Sequence, residues 1–335
     1  MQIGLLGKAN VGKSTFFSAA TETDVASGNF PFTTIEPNVG VAYVQSDCAC
    51  KHFDLKHENE LCVNGTRLIP IKLIDVAGLV PGAHEGKGLG NQFLDDARQA
   101  EVLIHVVDIA GTTDIQGQSI PVGTHDPLED VAFVQDEFDQ WFIDILKREW
   151  DKITREVDQK RAKLTDGIAK RFSGLGIKDY QVQQVLQKQD LITINPKEWN
   201  DSNIENFVKE LRKNTKPMII AANKADLCKD LDIMKKISDT VIPCSAETEL
   251  LLRKATKAGI INYNSGDKGF KINSEKEIPV PQQKALDLVN TIFSKITSTG
   301  IQKILNSAVF DSLNLIVVYP VEDESKFTNK EGVVF

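Results

Sequence analysis

With 335 residues, 41% of them apolar and 26% charged, the chain has the composition of an ordinary globular protein with room for two domains. A formal net charge of −8 argues against indiscriminate nucleic-acid binding by the whole surface, while leaving room for a local basic patch. No apolar run approaches the ~18 residues of a membrane span, Met1 leads at once into an apolar run, so that no signal peptide is expected, and five cysteines in no secreted framework suggest a reducing cytoplasm.

The first expected strand, QIGLL, is followed directly by GKANVGKS (Gly7–Ser14), with a helix opening at Ser14. Glycines at the two ends of this loop let its N–H groups turn inward onto phosphate oxygens, and the helix N-terminus adds a partial positive charge. In such a loop Lys13 reaches the β- and γ-phosphates and the Ser14 hydroxyl ligates Mg²⁺. Asn10, Val11, Gly12 and Thr15 complete the expected contacts. The plain alternative is a glycine turn before a helix, with no ligand.

FPFTTIEPN (Phe30–Asn38) is a proline-broken loop with paired threonines. Thr34, in preference to Thr33, is expected to cap the metal; otherwise both satisfy turn hydrogen bonds. Cys48, Cys50, His52, His57 and Cys62 then fall between two strands. Cys48, Cys50, His57 and Cys62 are candidate Zn²⁺ ligands, against a long hairpin loop with reduced thiols. The strand LIPIKLI ends at Asp75 of DVAG. An aspartate there holds Mg²⁺, through water, and the Gly78 N–H is placed to contact the γ-phosphate. The glycine-rich PGAHEGKGLG beyond it suits a segment ordered only by that phosphate.

From Leu128 the sequence runs at helical spacing without Gly or Pro for about 40 residues, with Asp126 or Thr124 as its cap. Shorter helices follow to Phe207, together forming an antiparallel helical arm inserted before KPMII. Between Lys147 and Arg171 stand nine Lys/Arg against five Asp/Glu. This is either an RNA-contacting, plausibly ribosomal, surface or a solvated amphipathic helix with pairs such as Asp151–Arg155. Trp141, Phe142 and Trp150 are expected to pack the arm's core. After MIIAA comes NKAD, where Asp226 can accept two hydrogen bonds from guanine that adenine cannot donate. Asn223 would hold the loop and the base edge, and Lys224 would lay its stem on the ring. In the SAE sequence that follows (Ser245, Ala246, Glu247), a backbone N–H near Ala246 would meet guanine O6. All four motifs, in order and each after a β-rich run, point to GTP.

NFPFTTIEPNVGVAY and DVAGLVPGAHEGKGLGNQFLDDARQAEVLIHVVD resemble the Obg-like GTPases, and among them the YchF branch (Obg-like ATPases) in its archaeal form. The likeness covers Met1 to about Ala110, resumes near Pro217 to Leu250 and returns from Gly300. It implies an α/β P-loop GTPase domain, a mostly parallel sheet flanked by helices, with the α-helical insertion and a C-terminal ubiquitin-like TGS (β-grasp) module. It also implies a cytoplasmic factor associated with ribosomes or rRNA through the arm and TGS region. The expected divisions are residues 1–127 and 214–298 for the GTPase domain, 128–213 for the insertion and 299–335 for the TGS-like start. LNLIVVYPVEDES (Leu313–Ser325) would begin that module, and the sequence ends at Phe335 before it is complete.

Two departures bear on activity. YchF proteins typically carry a degenerate base motif and prefer ATP, whereas NKAD here is intact, so ATP preference does not carry over. In Ras a glutamine orients the attacking water; here Leu79 follows Gly78. Asn10, at a position that coordinates K⁺ in related GTPases, and His84 are the two candidates to replace it. Their plain alternatives are a loop hydrogen bond and a solvent-exposed histidine. Slow intrinsic turnover, on the order of 10⁻³ to 10⁻² s⁻¹, is expected. A scaffold with vestigial hydrolysis is the competing reading.

Overall fold

Continuous apolar runs, rather than alternating ones, are what parallel strands buried on both faces require. They form the centre of the sheet. A computed structural model describes residues 1–21, 39–55, 61–76, 97–237, 240–274 and 278–330. Thr33, Thr34, His57, Gly78, Leu79 and His84 lie outside the described residues. The strands are β1 (Gln2–Leu6), β2 (Val39–Asp47), β3 (Cys62–Val63), β4 (Thr66–Asp75), β5 (Val102–Asp108), β6 (Met218–Asn223), β7 (Val241–Pro243), β8 (Ile261–Asn262) and β9 (Lys271–Ile272). The main sheet runs β2-β4-β1-β5-β6-β7, with β3 paired to β4. All its neighbours are parallel except the hairpin partners β2 and β3 on β4. β8 and β9 form a separate small ribbon.

The α-helices referred to below are α1 (Lys13–Thr21), α2 (Ala49–Phe53), α3 (Pro127–Lys147), α4 (Trp150–Asp158), α5 (Leu164–Arg171), α6 (Asp179–Lys188), α7 (Asp201–Thr215), α8 (Ala246–Lys257), α9 (Val280–Ile296) and α10 (Ile301–Asn306). One apolar cluster joins Ile3, Leu5, Ile104 and Ile219 of the sheet to Phe16 of α1 and to Ile301, Ile304, Leu305, Ala308 and Val309. Residues 301–309, expected within a C-terminal module from 299 onward, bury their apolar side chains in the same cluster as the sheet. Leu313–Ser325 contributes no strand to either sheet, and an isolated bridge joins Asp323 to Thr328. Among the described residues no helix is long and apolar enough to cross a membrane.

A parallel step from β5 to β6 needs a crossover, and here that crossover carries α3 to α7. A second cluster runs unbroken from Leu6, Ile74 and Leu103 of the sheet and Val76 just after β4 into Phe138, Phe142, Phe172, Val185, Phe207 and Leu211. The insertion is thus the layer that covers this face of the sheet. Its first helix begins as expected, with Asp126 accepting from the Leu128 N–H at 3.0 Å and Pro127 in the first turn.

The expected helix of about 40 residues does not form. α3 ends at Lys147, where Arg171 donates from Nε to the Ile145 carbonyl (3.0 Å) and from Nη1 to Glu149 (2.9 Å). A guanidinium from a later helix caps a carbonyl that a continuing helix would have used. Trp150 then turns onto Trp199, with ring centroids 5.1 Å apart. After α4 a left-handed residue, Lys160 (φ 56°), lies in the turn that leads to α5. Trp141, Phe142 and Trp150 do pack the arm: Trp141 meets Phe138 edge-on and Phe142 stacks on Phe172, both at 5.4 Å. The ion pairs of the arm tie separate elements together, Lys147 to Asp201 and Lys197 to Asp158, rather than joining Asp151 to Arg155.

Arg212 of α7 and Asp139 of α3 are both buried and paired at 2.8 Å. Replacing Arg212 with Met leaves a buried, unpaired carboxylate. Urea unfolding of R212M should show stability lower by about 3–5 kcal/mol.

Candidate nucleotide-binding site

The phosphate loop is shaped by what its glycines must avoid. Gly7 (φ +146°) carries no Cβ where one would lie 2.4 Å from the Val106 carbonyl, and Gly12 (φ +95°) lacks one that would lie 2.4 Å from Asn223 Nδ2. Asn10 takes a left-handed conformation (φ 61°), which asparagine tolerates better than most residues. Val11 is buried in the core and anchors the loop between them. Lys13 opens α1, and its Nζ crosses the loop to donate to the Lys8 carbonyl at 2.9 Å. Thr15 follows in the same first turn.

At the other side of Lys13, Ser14 Oγ donates to Asp75 Oδ2 at 3.0 Å. Burial pushes the Asp75 carboxyl above its ordinary range, with the Ser14 hydrogen bond and the Lys13 charge pulling it back. Burial likewise lowers Lys13, opposed by Asp75. Asp75 Oδ1 is buried with no hydrogen-bond partner. A hydroxyl beside a carboxylate with one unsatisfied buried oxygen is a donor set that fits a hard cation such as Mg²⁺.

The base-side motifs are joined to the loop by the Asn223 amide and by Lys224. Asn223, at the end of β6, donates from Nδ2 to the Val11 carbonyl (2.9 Å) and accepts at Oδ1 from the Ala246 N–H (3.0 Å). The Ala246 N–H, expected to face guanine O6, is therefore directed at Asn223. Lys224 (φ 60°) donates to the Asn10 carbonyl (3.1 Å), Asp108 Oδ2 (3.0 Å) and Thr112 Oγ1 (2.9 Å). Asp226 is half-buried in the next turn, its carbonyl accepting from Lys295 at 3.2 Å. Among the described residues its carboxylate has no hydrogen-bond partner. Ser245 caps α8 through the Thr248 N–H, placing Glu247 exposed in the first turn. Asn10 donates from Nδ2 to the Gly117 carbonyl at 2.8 Å, a bond to a neighbouring loop. Thr34, Gly78 and His84 remain outside the described residues, so the structure assigns them no place in this site.

Residues 2–137 match the family model described as a 50S ribosome-binding GTPase, and residues 221–323 that of the G4 motif-containing domain of YGR210-like Obg-like GTPases. An uncharacterized GTP-binding protein of Methanocaldococcus jannaschii is 46% identical, over 99% of this chain and 84% of its own length. The chain belongs to the YchF-type Obg-like GTPases. Its fold is similar to the crystal structure of a GTP-binding protein from Pyrococcus horikoshii, with a TM-score of 0.75 and 39% identity over 98% of this chain and 83% of the other. The ribosome-binding ATPase YchF of Bacillus subtilis is 32% identical over 58% of this chain and 54% of its own.

This Obg-like GTPase also carries residues around the loop that spacing did not reveal. Lys8 is almost wholly buried; its Nζ lies 2.7 Å from Asp130 Oδ2 in α3 and donates to the Thr113 carbonyl at 2.9 Å. His125 Nε2 lies 2.7 Å from the other oxygen of Asp130. A lysine at the second position of the loop, in addition to Lys13, was the only signal. Asp108 ends β5 and gathers Thr112, Thr113 and Lys224; its place after an apolar strand was readable, its partners were not. His105 is fully buried with neither ring nitrogen bonded, and burial with the Lys13 charge pushes its pKa down to about 3, so it stays neutral.

Gly12→Ala should test the loop geometry. A Cβ against the Asn223 amide at positive φ adds strain of about 1–3 kcal/mol. Fluorescent GDP should bind about ten- to a hundredfold more weakly, with the circular dichroism of the fold unchanged.

Proposed function

We propose that this protein is a guanine-nucleotide switch that binds and slowly hydrolyses GTP with Mg²⁺ and acts in the cytoplasm on ribosomes or translation complexes. The observation that carries the reading is Asp226, its carboxylate unpaired among the described residues, on a turn tied through Asn223 to both Val11 and Ala246. A carboxylate so held accepts the two donors of guanine's edge and is left unpaired by adenine.

Gly12, Lys13, Ser14 and Thr15 receive the phosphates, Lys13 exchanging the Lys8 carbonyl for phosphate oxygens. Ser14 and Asp75 would hold the metal, with Thr34 as the further ligand expected from the sequence, and the Gly78 N–H would meet the γ-phosphate. Mg²⁺ supplies neutralisation of charge on the phosphate oxygens. Ser245 and Glu247 frame the base pocket from the start of α8. With Leu79 in place of a water-orienting glutamine, hydrolysis falls to Asn10 or His84. Asn10, its Nδ2 engaged by the Gly117 carbonyl, would hold K⁺ through Oδ1, adding a positive charge beside the phosphates. Leu79 also favours the second reading, a scaffold with little hydrolysis. Single-turnover rates that rise in KCl over NaCl support the switch, and no turnover in either supports the scaffold.

A ribosomal partner is supported by the ribosome-binding names of the matched family model and of the Bacillus subtilis relative. Lys160, Arg161 and Lys163, exposed in the turn between α4 and α5, would meet RNA backbone. Residues 1–127 and 214–298 make up most of the GTPase domain and 128–213 the arm. Leu313–Ser325 reads as the opening of a TGS-like module.

Asp226→Asn should move base preference from guanine to xanthine; unchanged GDP affinity would refute the base-site assignment. Co-sedimentation with ribosomes, comparing GDP with a non-hydrolysable GTP analogue at two salt concentrations, tests the partner. Binding that needs the analogue and weakens with salt is expected. Equal or absent binding would overturn the ribosomal reading.

A further inference from the structure

The far end of the β2–β4 hairpin holds three cysteines that the nucleotide chemistry leaves unused. Cys48 follows β2, Cys50 lies in α2 and Cys62 begins β3, with the Asn64–Gly65 turn leading back into β4. Asn64 and Gly65 are both left-handed (φ 51° and 75°), as a tight hairpin turn requires, and the Gly65 carbonyl accepts from the Cys48 N–H at 2.9 Å. This closes the turn over the cysteines. All three Sγ atoms lie within 4.8 Å of one another, and those of Cys50 and Cys62 are 3.7 Å apart. Tetrahedral zinc with Zn–S bonds of ~2.3 Å holds its sulfurs about 3.8 Å apart, whereas a disulfide requires ~2.05 Å. The sulfurs are spaced as ligands around a common centre, and none of the five cysteines is in a disulfide.

A second observation concerns Arg67. Its side chain is buried, Nη2 lies 3.5 Å from Cys48 Sγ, and Nε has no hydrogen-bond partner. Among the described residues no carboxylate pairs with it. A buried cation without a counter-charge costs several kcal/mol. Three thiolates around a divalent ion carry a net charge of −1, which is the counter-charge Arg67 lacks.

The same guanidinium lies over the ring of Tyr319, 5.4 Å from its centroid, and the Tyr319 hydroxyl donates to the Asp47 carbonyl at 3.4 Å. Phe53, at the end of α2, stacks on Phe327 at 4.2 Å. The C-terminal stretch is therefore laid across the hairpin end at two aromatic contacts, one of them through the residue that faces the cysteines.

We propose that Cys48, Cys50 and Cys62 form a structural zinc site, with Arg67 as its counter-charge, which fixes the hairpin end as the seat for residues 319–327. Soft thiolates select zinc over magnesium, so this site is chemically separate from Ser14 and Asp75. The three thiols bind as thiolates and release their protons to solvent. Solvent or one further donor fills the fourth position. His57, the fourth ligand expected from the sequence, lies outside the described residues.

The test uses the full chain. Metal analysis of protein purified without added chelator should find one zinc per chain. Replacing that ion with Co²⁺ should give a thiolate-to-cobalt charge-transfer band and tetrahedral ligand-field absorption. Cys62 is only partly buried, so Cys62→Ser should fold; it should weaken affinity for Zn²⁺ alone by at least about a hundredfold, more than loss of an outer-shell contact does. Cys228→Ser should leave zinc content unchanged. Removing zinc with a zinc-selective chelator should speed hydrogen exchange in residues 62–67 and 319–327. A wild-type chain that takes up no zinc and shows no thiolate band with Co²⁺ would overturn the site. Zinc binding with unchanged exchange at 319–327 would overturn the seat.

Discussion

The site depends on one side chain being shared three ways. Asn223 is fixed by its strand, donates to the phosphate loop at Val11 and accepts from the start of α8 at Ala246. A primary amide offers donor and acceptor on one rigid plane, so it can set the separation of two loops as a charged side chain cannot. The close approach of Gly12 follows from this, because any Cβ there would collide with the same amide. Distance between the phosphate end and the base end of the site is thereby set by protein contacts. Ligand contacts need not define it.

Around that joint the charges are arranged at low dielectric. Lys13 and Asp75, both partly buried, lie near the buried His105, and each of the three is shifted in the direction that disfavours its charged form. Such a site is electrostatically unfinished. It suits a ligand that brings its own large charge together with a cation, because each partner relieves the other's desolvation cost.

Much of this was readable from residue order. Two glycines at a fixed separation before a helix, an aspartate at a strand end, and an asparagine-lysine-x-aspartate run after MIIAA are local patterns, and the sheet places them along one edge. What escaped depended on contacts distant in sequence. The end of α3 is set by Arg171, a residue of another helix, so helical periodicity alone ran through it. Lys8 read as one more loop residue until α3 brought Asp130 beneath it. The Ala246 N–H could be placed near the base from its motif, but its hydrogen bond to Asn223 needed β6 and α8 side by side. Residues 301–309 carry an ordinary amphipathic pattern, which says that they pack but not on which surface.

The Lys8–Asp130 pair has a consequence for how this protein can be dissected or can diverge. Lys8 sits in the phosphate loop and Asp130 in the first turns of the inserted helices, and neither meets solvent. Cutting the insertion out, by truncation in the laboratory or by deletion over generations, would take away the carboxylate paired with Lys8 at the start of the glycine loop. The insertion is therefore not a detachable appendage. An armless descendant would have to change residue 8 at the same time, so position 8 and the arm should be gained and lost together across relatives.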